Sequence, residues 1–226
     1  MLTSIVKCHL LDEELVKMTI EALDTIYPYS DETIAVTTDD SILPDYFLDY
    51  LLEHDIKLIT ADKGFPSFIK TGIELAQGDY VAVLNNDIKF EGDWSKPLLN
   101  LFEKDTLMVH PKMIAFDNRF YQGREVKENL DPRSGMFFSA FIVRKDKFNE
   151  LGWDMDFDYW GYDDWDFYYR ARKAGYNCVW TDIVQYKHKG GATIAKIGRE
   201  QFESKNKNLF IKKHGINPEE IDWYKL

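Results

Sequence analysis

The stretch "YVAVLNND" at residues 80–87 changes from buried to polar character within a few positions. Its first five residues are an apolar, β-favouring run of the kind found inside a sheet. Asn85, Asn86 and Asp87 follow at once, and no alternation of polar residues before them suggests a surface strand. We therefore predict a core strand whose carboxyl end carries two amides and a carboxylate.

Strands and helices alternate on the amino-terminal side of this stretch. The predicted strands cover residues 3–10, 32–40, 56–62 and 80–85, and the predicted helices cover 12–23, 44–54 and 65–79. Short strands that are apolar on both faces and alternate with helices are typical of a parallel sheet covered on both sides, with right-handed crossovers. The sequence thus predicts an α/β fold with a mostly parallel central sheet flanked by helices.

Beyond residue 90 the periodicity weakens. Residues 94–104 look helical, residues 106–116 look extended, and residues 135–152 look like a strand that runs into a short helix. The chain contains no Gly/Ser or Pro-rich linker, so we expect one domain over residues 1–226.

Polar groups cluster where the predicted strands end. They are His9 after the first strand, residues 37–41 after the second, residues 61–64 after the third and residues 85–87 after the fourth. In open α/β sheets ligands bind at the carboxyl ends of the strands, so these groups are candidates for one site. Turn formation is the alternative explanation for each group by itself.

Composition limits the class of protein. Of the 226 residues, 45% are hydrophobic, 15% aromatic and 30% charged, as in soluble globular proteins. No apolar run approaches the roughly 20 residues of a membrane span, and we expect a cytoplasmic protein. Cys8 and Cys178 lack metal-ligand spacing, and we expect both to be buried in strands.

The net charge of −11 argues against general binding to polyanions such as nucleic acid. Residues 187–214 are an exception, with eight basic and two acidic residues, a net charge of +6. This basic segment is either a solvated helix face or a patch that faces phosphates.

Residues 152–180 are unusually rich in acids and aromatic residues. The acids are Asp154, Asp156, Asp158, Asp163, Asp164 and Asp166. Carboxylates this close together repel one another, so a cation, a proton relay or a cationic ligand is expected nearby. The helix dipole accounts for the acids that open a predicted helix at Asp163, but not for the aromatic side chains beside them. These aromatic residues are Tyr159, Trp160, Tyr162 and Trp165, and rings next to carboxylates are typical of a sugar site.

Several of these segments occur together in one known family. The order of "GFPSFIKTGIELAQGDYVAVLNND", "GMFFSAFIVRKDKF", "LGWDMDF…YWGYDDWDFYYRARKAGY" and "YKHKGG" resembles the family 2 (GT-A fold) glycosyltransferases, especially rhamnosyltransferase-like members. The resemblance covers roughly residues 3–191. It implies a single Rossmann-like GT-A domain with a nucleotide-binding half at 1–90, an acceptor and catalytic half at 91–191, and a helical appendage at 192–226.

The resemblance also implies residues that bind the donor, a nucleoside-diphosphate sugar. Asp39 or Asp40 would recognise the base or ribose, and turn formation is the alternative for Asp40. Gly64 belongs to a loop that approaches the nucleotide in the family, and ending a strand is the alternative role for this glycine. Lys70 is a further candidate for donor binding. The family's D-x-D motif falls on residues 85–87, with Asn85 and Asn86 at its first two positions.

A divalent metal, Mn²⁺ or Mg²⁺, is implied at Asp87, with His188 completing the site, although His188 is alternatively a surface histidine among lysines. Because Asn85 replaces the usual first carboxylate, we expect metal binding to be weaker without nucleotide. The family's G-E-D-x-D segment falls on Asp163, Asp164 and Asp166, with Tyr162 inserted. It implies Asp164 as the catalytic base, with Asp163 as the rival. Acceptor or sugar contacts are expected from Trp160, Tyr162, Trp165 and Asp166.

The sequence therefore predicts a metal-assisted, inverting glycosyltransferase that uses a nucleotide sugar and a glycan or other hydroxyl acceptor. One alternative is a nucleotide-sugar or glycan-binding module without catalysis, which the neutral Asn85 suggests. Another is the same transferase acting on a polyanionic acceptor such as DNA with hydroxylated bases, which the basic segment suggests.

Overall fold

A computed structural model describes residues 1–134, 138–159, 161–190 and 200–226. Its strands are β1 (Leu2–Lys7), β2 (Glu32–Thr37), β3 (Lys57–Thr60), β4 (Tyr80–Asn85), β5 (Ile88–Phe90), β6 (Thr106–Ala115), β7 (Val126–Glu128), β8 (Ala140–Arg144) and β9 (Asn177–His188). Its helices are α1 (Glu13–Ile26), α2 (Asp45–Glu53), α3 (Phe65–Leu75), α4 (Ser95–Leu99), α5 (Lys145–Leu151), α6 (Asp163–Lys173) and α7 (Glu200–His214).

The strands of the described residues form one sheet in the order β3–β2–β1–β4–β8–β6–β9–β5, and β7 pairs with β9. The first four strands are parallel, as the alternating pattern predicts. Beyond β4 the sheet is mixed, because β8 runs antiparallel to both β4 and β6. The change comes where strand and helix cease to alternate, since antiparallel neighbours need no crossover helix. The α/β fold class predicted from the sequence is confirmed.

Helices cover both faces of the sheet. One hydrophobic cluster joins α1 and α2 to the sheet through residues such as Leu15 and Phe47, and the other joins α3, α6 and α7 through Ile69, Phe167 and Phe210. Both cysteines are buried as expected, and burial raises the pKa of each thiol. No helix within the described parts of the chain has the length and apolar character needed to cross a membrane.

The carboxyl-terminal residues pack onto the second cluster. Trp223 is fully buried, with its ring centroid 5.9 Å from that of Trp165 and 5.5 Å from that of Tyr168. The last turn of the chain therefore supports α6 directly.

The close approach of the α3–β4 connection to β1 fixes the register at the centre of the sheet. The backbone N–H of Gly78 donates to Thr3 Oγ1 at 2.9 Å. A Cβ atom on Gly78 would lie 2.7 Å from both Met1 O and Thr3 N. Only glycine fits here without moving the backbone.

We expect Gly78→Ala to lower the free energy of unfolding by about 1–3 kcal/mol, because the added methyl group overpacks against β1 backbone atoms. Denaturant unfolding measures the change. The matched control is Gln77→Ala, an exposed neighbour whose backbone N–H bond to Glu32 is retained, and it should change stability by less than about 0.5 kcal/mol. Equal stability of Gly78→Ala and wild type would contradict the close approach.

Candidate active site

A cavity of about 370 Å³ opens at the carboxyl ends of β1 and β4. Its walls come from strand ends, the start of α3, the start of α6 and one residue of α7. The lining residues are Lys7, Phe65, Ile69, Asn85, Phe138, Ser139, Trp153, Gly161, Tyr162, Asp163, Asp164, Trp165, His188 and Glu203. The position agrees with the edge of the sheet at which ligands bind in open α/β folds.

The first feature of the cavity is a buried cation. Lys7 is the last residue of β1, is 5% exposed and lies opposite Asn85 in the β1–β4 register. Its ammonium lies 4.5 Å from the centroid of the Phe65 ring. Burial lowers the pKa of Lys7 to about 8, and the charges of Asp163, Asp164 and Asp87 oppose that shift. At neutral pH the side chain therefore stays mainly protonated.

The second feature is a pair of adjacent carboxylates at the start of α6. Gly161 and Tyr162 both have positive φ, +91° and +65°, and this turn aims Asp163 and Asp164 into the cavity. Asp164 Oδ1 accepts a hydrogen bond from the backbone N–H of Trp165 at 2.9 Å. Burial raises the pKa of both carboxyls, and for Asp163 the charge of Asp164 raises it further. The pair is thus made more basic than ordinary aspartate.

The other acids of this segment have cationic partners. Asp154 and Asp156 pair with Lys213 at 2.8 and 2.6 Å, and Asp158 pairs with Lys205. Asp166, fully buried, lies 2.8 Å from Arg170 and 2.7 Å from His214. Among the described residues, neither Asp163 nor Asp164 has an ion-pair partner, so the uncompensated acids are those that face the cavity.

The third feature is the pairing of Asp87 with His188. Strand β5 pairs with β9 so that His188 Nε2 lies 2.9 Å from Asp87 Oδ1. Asp87 is 7% exposed, and its Oδ2 accepts from the backbone N–H of Gly190 at 3.1 Å. The Asn85 amide nitrogen lies 3.3 Å from the same His188 nitrogen.

These atoms fit a divalent cation. Asp87 Oδ1 is buried beside the His188 ring nitrogen, and the buried Asn85 Oδ1 accepts no hydrogen bond from any described residue. Oxygen and imidazole ligands about 3 Å apart have the spacing of neighbouring ligands around an octahedral ion with bonds of about 2.1 Å. Within the described ranges, no three His, Cys, Asp or Glu side chains converge, so other ligands would come from the substrate or solvent.

A separate polar cluster lies at the ends of β1, β2 and β3. Asp40 Oδ1 lies 3.2 Å from His9 Nε2, and its Oδ2 lies 2.7 Å from Lys63 Nζ. The hydrogen bond from Lys63 is the main cause that lowers the pKa of Asp40 to about 2. Asp39 beside it is exposed to solvent. Three strand ends thus contribute to this cluster, whereas the fourth, at residues 85–87, contributes Asn85 to the cavity instead of joining them.

The family described as "Glycosyl transferase family 2" matches residues 4–163, which is most of the chain. The chain belongs to this family. Curated proteins gave no significant match to the sequence.

Solved glycosyltransferase structures share the fold of this family 2 chain. One is GalNAc-T7 with UDP, GalNAc and Mn²⁺, with a TM-score of 0.68 at 12% identity over 83% of this chain. Another is S. aureus TarS 1-349, with a TM-score of 0.63 at 11% identity over 93% of this chain. This chain spans 43% of the GalNAc-T7 chain and 69% of the TarS chain. At such low identity the likeness shows the fold alone, and it agrees with the GT-A prediction.

Three of the residues predicted for the site lie elsewhere in this glycosyltransferase-family chain. The Asn86 amide nitrogen donates to Thr19 Oγ1 at 2.8 Å, away from the cavity. Lys70 projects from the exposed face of α3, with Nζ 4.0 Å from Glu74, and does not line the cavity. The carboxylate of Asp166 is buried against Arg170 and His214 and does not line the cavity.

The remaining predicted site residues are placed as follows. Tyr162 and Trp165 line the cavity with their ring centroids 5.5 Å apart. Gly64 has φ +111° and approaches the Tyr159 backbone, where a Cβ atom would lie 3.4 Å from the Tyr159 Cα. Trp160 lies outside the described residues.

The basic segment is largely compensated by acids of the protein. Lys189 pairs with Glu14 at 2.8 Å, and Lys207 pairs with Glu219 at 2.7 Å. Lys205 and Lys213 pair with the acids of residues 154–158 described above. Lys196 and Arg199 lie outside the described residues. Lys205 and Lys213 thus hold α7 against the acidic loop, and the four ion-paired lysines give no support to a polyanionic acceptor.

Sequence reasoning missed several residues of the cavity. Glu203 on α7 and Trp153 before α6 both line it. Lys7 was readable as a lysine that ends an otherwise apolar central strand. No local pattern could have placed Glu203, because α7 reaches the cavity only through tertiary packing.

The raised pKa of Asp163 predicts how the free energy of unfolding should depend on pH. An acid whose pKa is raised on folding contributes stability below its unfolded pKa of about 4, and loses it as the pH rises through the folded pKa. We therefore expect Asp163→Asn to raise the free energy of unfolding at pH 7.5 by about 1–3 kcal/mol, with little gain at pH 4. Denaturant titrations at both pH values measure the difference between the variant and wild type.

The matched control is Asp117→Asn, the same substitution at an exposed aspartate. It should leave the free energy of unfolding nearly unchanged at both pH values. A pH-independent effect of Asp163→Asn would show that burial of this carboxylate is not what destabilises the folded chain.

Proposed function

We propose that the chain transfers a sugar from a nucleoside-diphosphate sugar to an acceptor hydroxyl, with inversion at the anomeric carbon. One observation carries the proposal. The uncompensated acids of the acidic segment, Asp163 and Asp164, line the same cavity as Asn85 and His188 of the Asp87 cluster. A base for the acceptor and ligands for a diphosphate-bound metal would thus meet in one space.

Asp164 is the better candidate for the catalytic base. It is less buried than Asp163, which is 6% exposed, so an acceptor hydroxyl can approach it more readily. A carboxylate whose pKa is raised by burial accepts a proton more readily at neutral pH than ordinary aspartate does. The hydrogen bond from Trp165 N–H orients one of its oxygens and leaves the other for the acceptor.

Asp87 and His188 would hold a divalent metal, Mn²⁺ or Mg²⁺. When bound, such an ion neutralises the charge that develops on the leaving diphosphate. Support comes from the buried Asp87 Oδ1 atom 2.9 Å from His188 Nε2, from the unsatisfied Asn85 Oδ1, and from the Mn²⁺ and UDP in the GalNAc-T7 structure of the same fold. Asn85 adds an amide beside the two ligands instead of a second negative charge.

The donor and acceptor sides of the site are proposed from the surrounding residues. Asp40, at the end of β2, would contact the base or ribose. Tyr162 and Trp165 offer aromatic faces on which a glycan acceptor or the donor sugar would stack. The rhamnosyltransferase-like assignment from the sequence is kept as a hypothesis about the donor, to be tested with a panel of UDP, GDP, dTDP and CMP sugars.

Replacement of the base gives a direct test. We expect Asp164→Asn to lower kcat by about 10²- to 10⁴-fold, because the acceptor proton then has no carboxylate to accept it. Nucleotide binding, measured by calorimetry, should stay within about twofold of wild type. Asp163→Asn is the matched comparison, since it removes the adjacent charge and should cost less activity. The assignment would be reversed if Asp163→Asn lost more activity than Asp164→Asn.

Metal dependence is tested on the protein itself as well as on turnover. We expect calorimetry to detect Mn²⁺ binding in the presence of nucleoside diphosphate. Asp87→Asn and His188→Ala should each weaken that binding by about tenfold or more. EDTA should slow transfer and added Mn²⁺ should restore it. Unchanged Mn²⁺ affinity in both variants would remove the metal role from these residues.

The alternative of a binding module without catalysis has a distinct outcome. Such a module would bind a nucleotide sugar in calorimetry but give neither transfer nor donor hydrolysis. The structure gives this alternative no particular support, because the carboxylate pair faces the cavity.

A further inference from the structure

Lys7 is a buried cation that forms no direct ion pair with a described residue, although the charges of Asp163, Asp164 and Asp87 act on it. It is 5% exposed, and its Nζ forms neither a hydrogen bond nor an ion pair with any described residue. Its described close contact is the face of the Phe65 ring at 4.5 Å, on the wall of the cavity. An isolated buried ammonium costs several kcal/mol. Such a group is retained more readily where a ligand supplies the missing negative charge.

The neighbour of Lys7 in the sheet is the neutral Asn85. The two residues are register partners on adjacent parallel strands, so their side chains project on the same side of the sheet about 5 Å apart at Cα. Both line the cavity, and the buried Asn85 Oδ1 accepts no hydrogen bond from the described residues. An aspartate at position 85 would place a carboxylate beside the ammonium and neutralise it. The amide leaves the positive charge of Lys7 available.

We propose that Lys7 binds an oxyanion of the donor, with the diphosphate as the favoured group, and that the neutral Asn85 keeps Lys7 free for this contact. This inference rests on the proposed sugar transfer. In that reaction the bond between the anomeric carbon and the diphosphate oxygen breaks, and a bond from the acceptor oxygen to the same carbon forms. The acceptor proton moves to Asp164, and the diphosphate leaves with one more negative charge than it had in the donor.

The position of Lys7 suits the negative charge of the leaving diphosphate. It lines the same cavity as Asp164 and His188, so it shares that space with the proposed base and a proposed metal ligand, and it faces Asn85 in the strand register. A point charge on a flexible stem is a common phosphate ligand in proteins. Lys7 would thus be a catalytic residue that contacts the leaving group directly, in addition to the metal.

The test measures binding by calorimetry in Mn²⁺-containing buffer. The probes are UDP, GDP, dTDP and CDP. For the diphosphate that binds wild type most tightly, the affinities of that diphosphate and of its nucleoside are measured for each variant. We expect Lys7→Met to weaken binding of that diphosphate by about 10- to 100-fold, the scale of a lost charge-assisted contact. Binding of the nucleoside should stay within twofold. The matched control, Lys70→Met, removes an exposed lysine of α3 and should change neither.

Two further measurements distinguish a direct contact of Lys7 with the diphosphate from an indirect effect through the metal. Mn²⁺ affinity without nucleotide should not fall in Lys7→Met, because a like charge is removed from beside the metal ligands. A diphosphate loss at undiminished Mn²⁺ affinity therefore assigns the contact to Lys7 itself. Asn85→Asp, which leaves Lys7 in place, should weaken diphosphate binding in EDTA-containing buffer, because the new carboxylate pairs with the ammonium.

Nucleotide sugars show whether Lys7 binds the phosphates of the donor or a carboxylate on its sugar. Loss of affinity for the free diphosphate assigns the contact to the phosphates. Loss seen only with a glucuronic acid nucleotide, and not with the glucose nucleotide, assigns it to a sugar carboxylate.

Binding of every probe within twofold of wild type in Lys7→Met overturns the inference and leaves the proposed function intact. Equal loss for nucleoside and diphosphate also overturns it, since Lys7 then supports only the fold. If wild type binds none of the nucleotides, the proposed transferase function fails, and this inference fails with it.

Discussion

The pairing of β1 with β4 at the centre of the sheet is the constraint on which the site depends. At one end of this pair, Gly78 approaches Thr3 so closely that a side chain would not fit, which fixes the register. At the other end, that register sets Lys7 beside Asn85. A slip of β1 by one residue would turn Lys7 to the face of the sheet opposite Asn85. Packing at the start of two strands thus determines which polar side chains meet at their ends.

The acidic segment shows how a chain can hold many carboxylates close together. Cations from α6 and α7 neutralise the acids that lie outside the cavity, as with Lys213 beside Asp154 and Asp156. The acids inside the cavity have no such partner among the described residues, and burial raises their pKa. Ion pairs therefore stabilise the acids around the site, whereas the acids within it have none. This arrangement is common where charged groups must remain reactive.

Much of the fold and part of the candidate site could be predicted from the sequence, because the strand and helix alternation and the polar strand ends are local patterns. Periodicity also explains the misplaced residues. Lys70 lies on a helix whose apolar positions Ile69 and Ile73 face the core, so it points outward. Asp166 precedes Arg170 by four residues, the spacing of an intrahelical ion pair. The contribution of Glu203 could not be predicted, since no sequence pattern shows where α7 packs.

The site draws its charged groups from distant parts of the chain. Lys7 lies near the amino terminus, Asp87 follows β4, and His188 meets Asp87 only when β9 pairs with β5. During synthesis, a nascent chain that has reached β5 holds the ammonium and one carboxylate but neither the histidine nor the acidic pair. Closing loops of this length costs entropy before the contacts form. The candidate site is therefore assembled late, because it needs α6 and β9 to join strands that come much earlier in the chain.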